Sequence, residues 1–216
     1  LMASQEIANI FKLKAAALLH DPPHKPYLLV ERKGHEEEAR RLAEKIFGGE
    51  VTNLISDERV KLADTVSSTI DRWILSLLMD EKYIHGLFRE EKIKLKNIFE
   101  PLLEVELPKL PSEDYIHKVH KEYAEKLGSY ISKVDDWKLK YHLFYALYEL
   151  LWISEGLSVG PADTRVPTHT VFDHSYAAAA MINWLLGAKG EINGLLVGLD
   201  VGGVQEFIAS SRKLKD

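Results

Sequence analysis

The chain has 216 residues, 46% of them hydrophobic and 28% charged, with a net charge of −5 and no cysteine. These values describe a globular domain large enough to bury a core unaided. They exclude disulfides and thiolate chemistry, so any metal must be held by His, Asp or Glu. The acidic balance also argues against a free-standing nucleic-acid binder, which is more often basic. A cysteine-free chain fits a cytoplasmic setting. No apolar run approaches the roughly 20 residues that span a bilayer, and the N-terminal stretch with its early Glu6 reads as an amphipathic helix rather than a signal peptide.

Residues 5–20 carry Ile7, Ile10, Phe11, Leu13, Ala17 and Leu18 at helical spacing. Pro22-Pro23 ends that helix, because a proline pushes the residue before it out of the α region. A loop is expected from there to Gly34. "HEEEARRLAEKIF" reads as a second helix, with three acids at its positive end and Gly48-Gly49 as its stop. Ser56-Asp57 caps a third, "ERVKLADTVSSTIDRWILSLLMD".

Residues 80–112 alternate irregularly and contain several prolines, so they read as a short β-ribbon or a long connection. Two helical stretches follow, a charge-rich one over 113–128 and an aromatic-rich, buried one over 135–154, with Asp135-Asp136 at the N-cap of the second. "EGLSVGPADTRVPTHT" is a long Gly/Pro loop, a type that is often functional. "VFDHSYAAAAMINWLLG" is the last clear helix, and its run Ala177 to Ala180 permits close packing. From about residue 191 a strand, a Gly-rich turn and an amphipathic helix begin a second, mixed α/β domain. The domain boundaries expected are therefore 1–190 and 191–216.

The chemistry-bearing residues start with His20-Asp21. Side chains of neighbouring helix residues diverge by about 100°, yet at a helix exit both can turn to one ion. Imidazole with carboxylate suits Mn, Fe, Co, Ni or Zn. The structural alternative is an Asp that opens a turn and a His that satisfies a backbone carbonyl. Asp64, among Leu62, Ala63 and Val66, is costly to bury without a cation or hydrogen bonds. It sits equally well on an exposed helix face. His174 lies at a helix start, where Asp173 or Ser175 would cap the helix and leave it as a core histidine. His169 can join it from the loop. His35 opens the second helix, as a cap, a surface group or a ligand. His24 and Lys25 extend the first site, Lys25 toward a phosphate or toward Asp21. His117 and His120, three apart on a charged helix, read more simply as solvated surface. "GLDVGGVQEF" lacks the glycine spacing or lysine of a nucleotide-binding loop.

Taken together, "LLHDPPHKP", "GHEEEARRLAEKI", "VKLADTVSS" and "VFDHSYAAAAMINWL" resemble the motifs of an HD-superfamily phosphohydrolase in circularly permuted order. With "ADTRVPTHTVFDH" and "GVQEFI", the set resembles the N-terminal HD domain of the large polymerase/cyclase-like subunit of type III CRISPR effector complexes, nearest the Cmr (III-B) branch. The resemblance runs from residue 16 to 212, with 80–150 the least distinctive.

It implies a mainly α, permuted HD-type domain, followed by the start of a ferredoxin-like palm. It further implies one or two divalent ions (Mn, Ni, Co, Mg or Zn) and nuclease action on single-stranded DNA. Partners would be other subunits of a ribonucleoprotein complex with guide RNA, and no membrane. By position, His20, Asp21, Asp64 and His174 would be the metal ligands, with His35 for a second ion. His24, Lys25, Arg165 and His169 would serve proton transfer and substrate binding. The paired histidines that some relatives use for a second metal are not evident between His35 and Asp64. The competing expectations are a catalytically silent HD-fold scaffold that docks other subunits, and an HD phosphohydrolase of a small nucleotide.

Overall fold

The computed structural model describes residues 2–30, 34–69, 94–96, 104–106, 113–162 and 169–187. These are mainly helical. Helix α1 (Met2–His20) begins three residues before the sequence periodicity suggests and ends at His20 as expected. Its second half, Leu13 and Ala15 to Leu19, is buried. The side chains there are small or unbranched at Cβ, so neighbouring helices approach closely.

After the Pro22-Pro23 turn the sequence reading expects a loop, but Lys25–Val30 forms a short helix, α2. The His24 carbonyl accepts the first bond from the Leu28 N–H at 3.2 Å. Pro26 is tolerated because it falls in the first turn, where its missing N–H would have no partner. Six residues are too few for a hydrophobic period to show.

Helix α3 (His35–Phe47) buries Ala39, Leu42, Ala43 and Ile46. It stops at Gly48, whose φ of 67° suits a residue without Cβ. A single turn, α4 (Gly49–Thr52), leads on. Helix α5 (Glu58–Ser67) is capped by the Asp57 side chain, which accepts from the Arg59 N–H. The rest of the expected third helix, 70–80, lies outside the described residues, as do 81–93. In the uncertain 80–112 region, β1 (Lys94–Lys96) and β2 (Glu104–Glu106) pair antiparallel, with Leu95 opposite Val105, which is the ribbon alternative.

Helix α6 (Glu113–His117) runs without a break through a π-helical segment (Lys118–Ala124) into α7 (Glu125–Ile131). At Gly128 a Cβ would stand 2.7 Å from the Lys45 carbonyl, so α3 and α7 cross at contact distance only because no side chain intervenes. Helix α8 (Trp137–Ser154) is capped by Asp136 and buries Trp137, Tyr141, Phe144, Tyr148, Leu151 and Trp152 along one face.

Helix α9 (Val171–Gly187) begins with a reciprocal cap. The Asp173 N–H donates to Thr170 Oγ1 at 3.1 Å, and the Thr170 N–H donates to Asp173 Oδ2 at 3.0 Å. The cap residue is thus Thr170, with Asp173 as its partner, and not Asp173 or Ser175 as the sequence suggested. Helix α1 packs against α9, α8, α5 and α3, and α9 packs against α5. Ala178 and Ala179 are buried, as the small-residue run predicts. The expected palm start, 191–216, lies outside the described residues, as does the 1–190 boundary. Among the described residues no helix is long and apolar enough to cross a membrane.

Candidate metal centre

Three elements meet where α1 ends. The turn after α1 places Asp21 inward at 2% exposure. Helix α5 presents Asp64, one turn after buried Val60. Helix α9 presents His174 in its first turn, pinned there by Ser175 Oγ, which donates to the Asp21 carbonyl at 3.4 Å. His174 Nε2 lies 2.8 Å from Asp64 Oδ1 and 3.2 Å from Asp21 Oδ2. Ser67 Oγ is 3.5 Å from its other ring nitrogen.

His20 makes the contact with a backbone carbonyl that the structural alternative expects, and the same contact suits a metal ligand. Its Nδ1 lies 3.1 Å from the Ile55 carbonyl. A carbonyl only accepts, so Nδ1 carries the proton and the lone pair sits on Nε2. An imidazole held in this way by a backbone carbonyl is the usual arrangement of a metal-bound histidine. The His35 ring stands edge-on to His20, centroids 6.2 Å apart, with His35 Nε2 at 3.7 Å from Asp21 Oδ1. The ligand atoms of His20, Asp21 and His35 lie within 4.8 Å of one another, and so do those of Asp21, Asp64 and His174. Asp21 belongs to both groups, one carboxylate oxygen facing each histidine.

Burial raises the pKa of Asp21, but the His174 hydrogen bond and the Lys25 charge outweigh it and hold the carboxyl far below its usual range. Lys25 Nζ donates to Asp21 Oδ2, which is the second of the two partners the sequence allowed it. Asp21 Oδ1 is buried with no hydrogen-bond partner, a costly state for a carboxylate oxygen. A divalent cation between it and the imidazoles of His20 and His35 would satisfy it. The all-N/O donor set fits Mn, Fe, Co, Ni or Zn.

His174 is buried, which disfavours its cation, yet the bonds and charges of Asp21 and Asp64 raise its pKa to about 9. A raised histidine pKa stabilises the fold below its ordinary value of about 6.5, and that contribution is lost as pH climbs through 9. The melting temperature of the metal-free chain is therefore expected to fall between pH 7 and 9.5 in EDTA. His174→Gln should flatten that slope.

Of the remaining candidates, His169 stands 6.2 Å from His174 ring to ring, half-buried at the rim. Arg165 lies outside the described residues. His24 does not join the Asp21 groups. It turns the other way, to Glu38 and His120, and these three form a separate group. Glu38 was missed, read only as one of three acids on the α3 dipole. The available signal was its spacing from His35 and Leu42, which puts Glu38, unlike Glu36 and Glu37, toward the core. His117 is exposed as expected, whereas His120 is not solvated surface but 16% exposed and bonded to Glu38.

No protein-family model matches the chain, and no solved structure matches it. Among curated proteins, CRISPR system CMR subunit Cmr2 of Saccharolobus solfataricus is 36% identical over 219 residues. The alignment takes in 94% of this chain and 20% of that protein, so a mainly helical chain with two His/Asp groups sharing Asp21 is similar to about one fifth of a Cmr2 subunit.

Proposed function

We propose that the chain is a metal-dependent HD-type nuclease domain. It hydrolyses phosphodiesters of single-stranded DNA as part of a type III-B CRISPR effector complex in the cytoplasm, alongside other subunits and a guide RNA. The observation that carries the reading is Asp21, a buried carboxylate whose two oxygens face two histidine-bearing groups. The similarity to Cmr2 supports the setting.

Divalent ions held by His20, Asp21 and His35 and by Asp21, Asp64 and His174 would acidify a bound water and polarise a phosphoryl oxygen. The protein's own groups supply the rest. His20 offers Nε2 because Ile55 fixes its proton on Nδ1. Asp21 bridges the two groups and orients the attacking oxygen. Lys25, 17% exposed and already at Asp21, moves its charge to the phosphate when a cation takes its place. His169, 6.2 Å ring to ring from His174, would pass a proton to the leaving oxygen, and Arg165 is proposed to hold the substrate backbone. With a net charge of −5, strand capture depends on the metal and on neighbouring subunits.

The test is cleavage of labelled single-stranded and duplex DNA and RNA across Mg, Mn, Co, Ni and Zn, with EDTA controls. Cleavage of single-stranded DNA that EDTA abolishes is expected. Hydrolysis of free nucleotides without oligomers would favour a small-nucleotide phosphohydrolase. Absence of any cleavage, with metal bound or not, would favour the scaffold reading.

A further inference from the structure

A second cluster of ligating side chains lies apart from Asp21. His24 closes the Pro22-Pro23 turn and precedes α2, Glu38 sits one turn into α3, and His120 lies within the π-helical segment. Both imidazoles address one oxygen. His120 Nε2 is 2.9 Å and His24 Nε2 3.4 Å from Glu38 Oε2. We propose that His24, Glu38 and His120 form a second transition-metal site, separate from the Asp21 centre, that takes Zn²⁺ or Co²⁺ and ties α2, α3 and the π-helical segment together.

Four observations carry this. The first is spacing. Tetrahedral zinc with bonds near 2.0–2.1 Å needs donor atoms about 3.3 Å apart, and the two pairs above already sit close to that separation. The second is the donor set: two imidazoles and one carboxylate leave a fourth position for water.

The third is orientation. Arg41 Nη1 donates to Glu38 Oε1 at 2.8 Å, which fixes the carboxylate from outside and leaves Oε2 pointing at the histidines. Metal-ligating carboxylates are commonly held by such outer partners. The His24 ring is held in turn by Trp152, stacked at 6.5 Å and 22°. The fourth is the backbone. π-helical turns are rare and concentrate at functional sites, and this one carries His120.

Burial lowers the pKa of His24 and favours the neutral ligand form. The His24 bond leads in holding Glu38 down to about 2, so it is a carboxylate. His24 immediately precedes Lys25, and Glu38 is one turn from His35. An ion here would therefore fix the backbone that carries two groups of the Asp21 centre, without touching that centre.

The test uses the whole chain, stripped of metal and titrated with Co²⁺, read by its visible d–d absorption and by equilibrium dialysis. It is run in an Asp21→Asn background, which takes the shared carboxylate from both Asp21 groups, so that neither masks the result and nuclease activity plays no part. The Asp21→Asn chain is expected to keep one Co²⁺ with a tetrahedral spectrum. Adding His120→Ala, or Glu38→Gln as the variant least disturbing to packing, should weaken that binding by at least about tenfold to a hundredfold. Circular dichroism checks that each variant is folded. No tetrahedral Co²⁺ in the Asp21→Asn chain, or affinity unchanged by Glu38→Gln, would overturn the proposal. Loss of cleavage in the wild type with this Co²⁺ band intact would overturn the nuclease reading alone.

Discussion

Asp21→Asn is expected to reduce metal-dependent cleavage of single-stranded DNA by on the order of a thousandfold, well beyond the 10–100-fold typical of outer-shell changes at metal sites. The substitution keeps the shape and removes the charge. Asp21 is the one carboxylate common to both ligand groups, so its loss strips an anionic donor from each at once. The neutral carbonyl left behind is a weak ligand, and the amide nitrogen is none.

The fold should survive this change, because neither cation left behind is trapped. Lys25 is partly exposed and can turn to water. His174 can shed its proton once the charge that raises its pKa is halved. Breaking a buried pair is severe only when the remaining charge cannot relax. A thermal melt beside the cleavage assay separates the two effects. An Asp21→Asn protein that melts normally and cleaves at the wild-type rate with the same metal dependence would remove the site from consideration.

Trp152→Ala is expected to have the largest effect on stability, about 3–5 kcal/mol. Trp152 is fully buried on α8 and lies among Tyr123, Tyr115 and Phe172, with ring centroids between 5.0 and 6.4 Å. Its Nε1–H donates to the Ser158 carbonyl at 3.1 Å, which closes the turn after α8. Truncation would leave a ring-sized cavity and a carbonyl without its donor. A domain's whole stability is about 5–15 kcal/mol, so much of it rests on this residue. Trp152→Phe keeps most of the packing and loses the hydrogen bond, for about 1–2 kcal/mol. Urea denaturation reads both, and equal midpoints for Trp152→Ala and wild type would refute the assignment of the core to this end of α8.

The helices and the Asp21 centre were largely legible in the sequence, for two different reasons. Helices α1, α3, α8 and α9 are long enough for a 3.6-residue period to repeat, and Asp57 and Asp136 mark the starts of α5 and α8 chemically. His20, Asp21, Asp64 and His174 were found as a set of motifs, each weak by itself. What escaped was whatever depends on departures from that period. The π-helical segment turns His120 from an expected surface position to Glu38, and no count of i, i+3 and i, i+4 neighbours reveals such a shift. Glu38 was hidden by Glu36 and Glu37, since three successive acids read as one charge feature until the buried face of α3 is known. Helix α2 was too short to show a pattern, and its prolines read as loop chemistry.

The separation of Asp21 and Ser175, 154 residues along the chain and joined by a hydrogen bond, also sets an order in time. Closing a loop of that length costs about 2 kcal/mol more than closing one of ten residues. That contact cannot form during synthesis until α9 has emerged. At about 5–20 residues per second, the growing chain carries His20, Asp21 and then His35 and Asp64 for up to about 8–30 s before His174 exists to meet them. A half-made chain thus carries both carboxylates without the histidine that completes the Asp21–Asp64–His174 group. The Asp21–Asp64–His174 group is therefore assembled only when the first and last described helices have met.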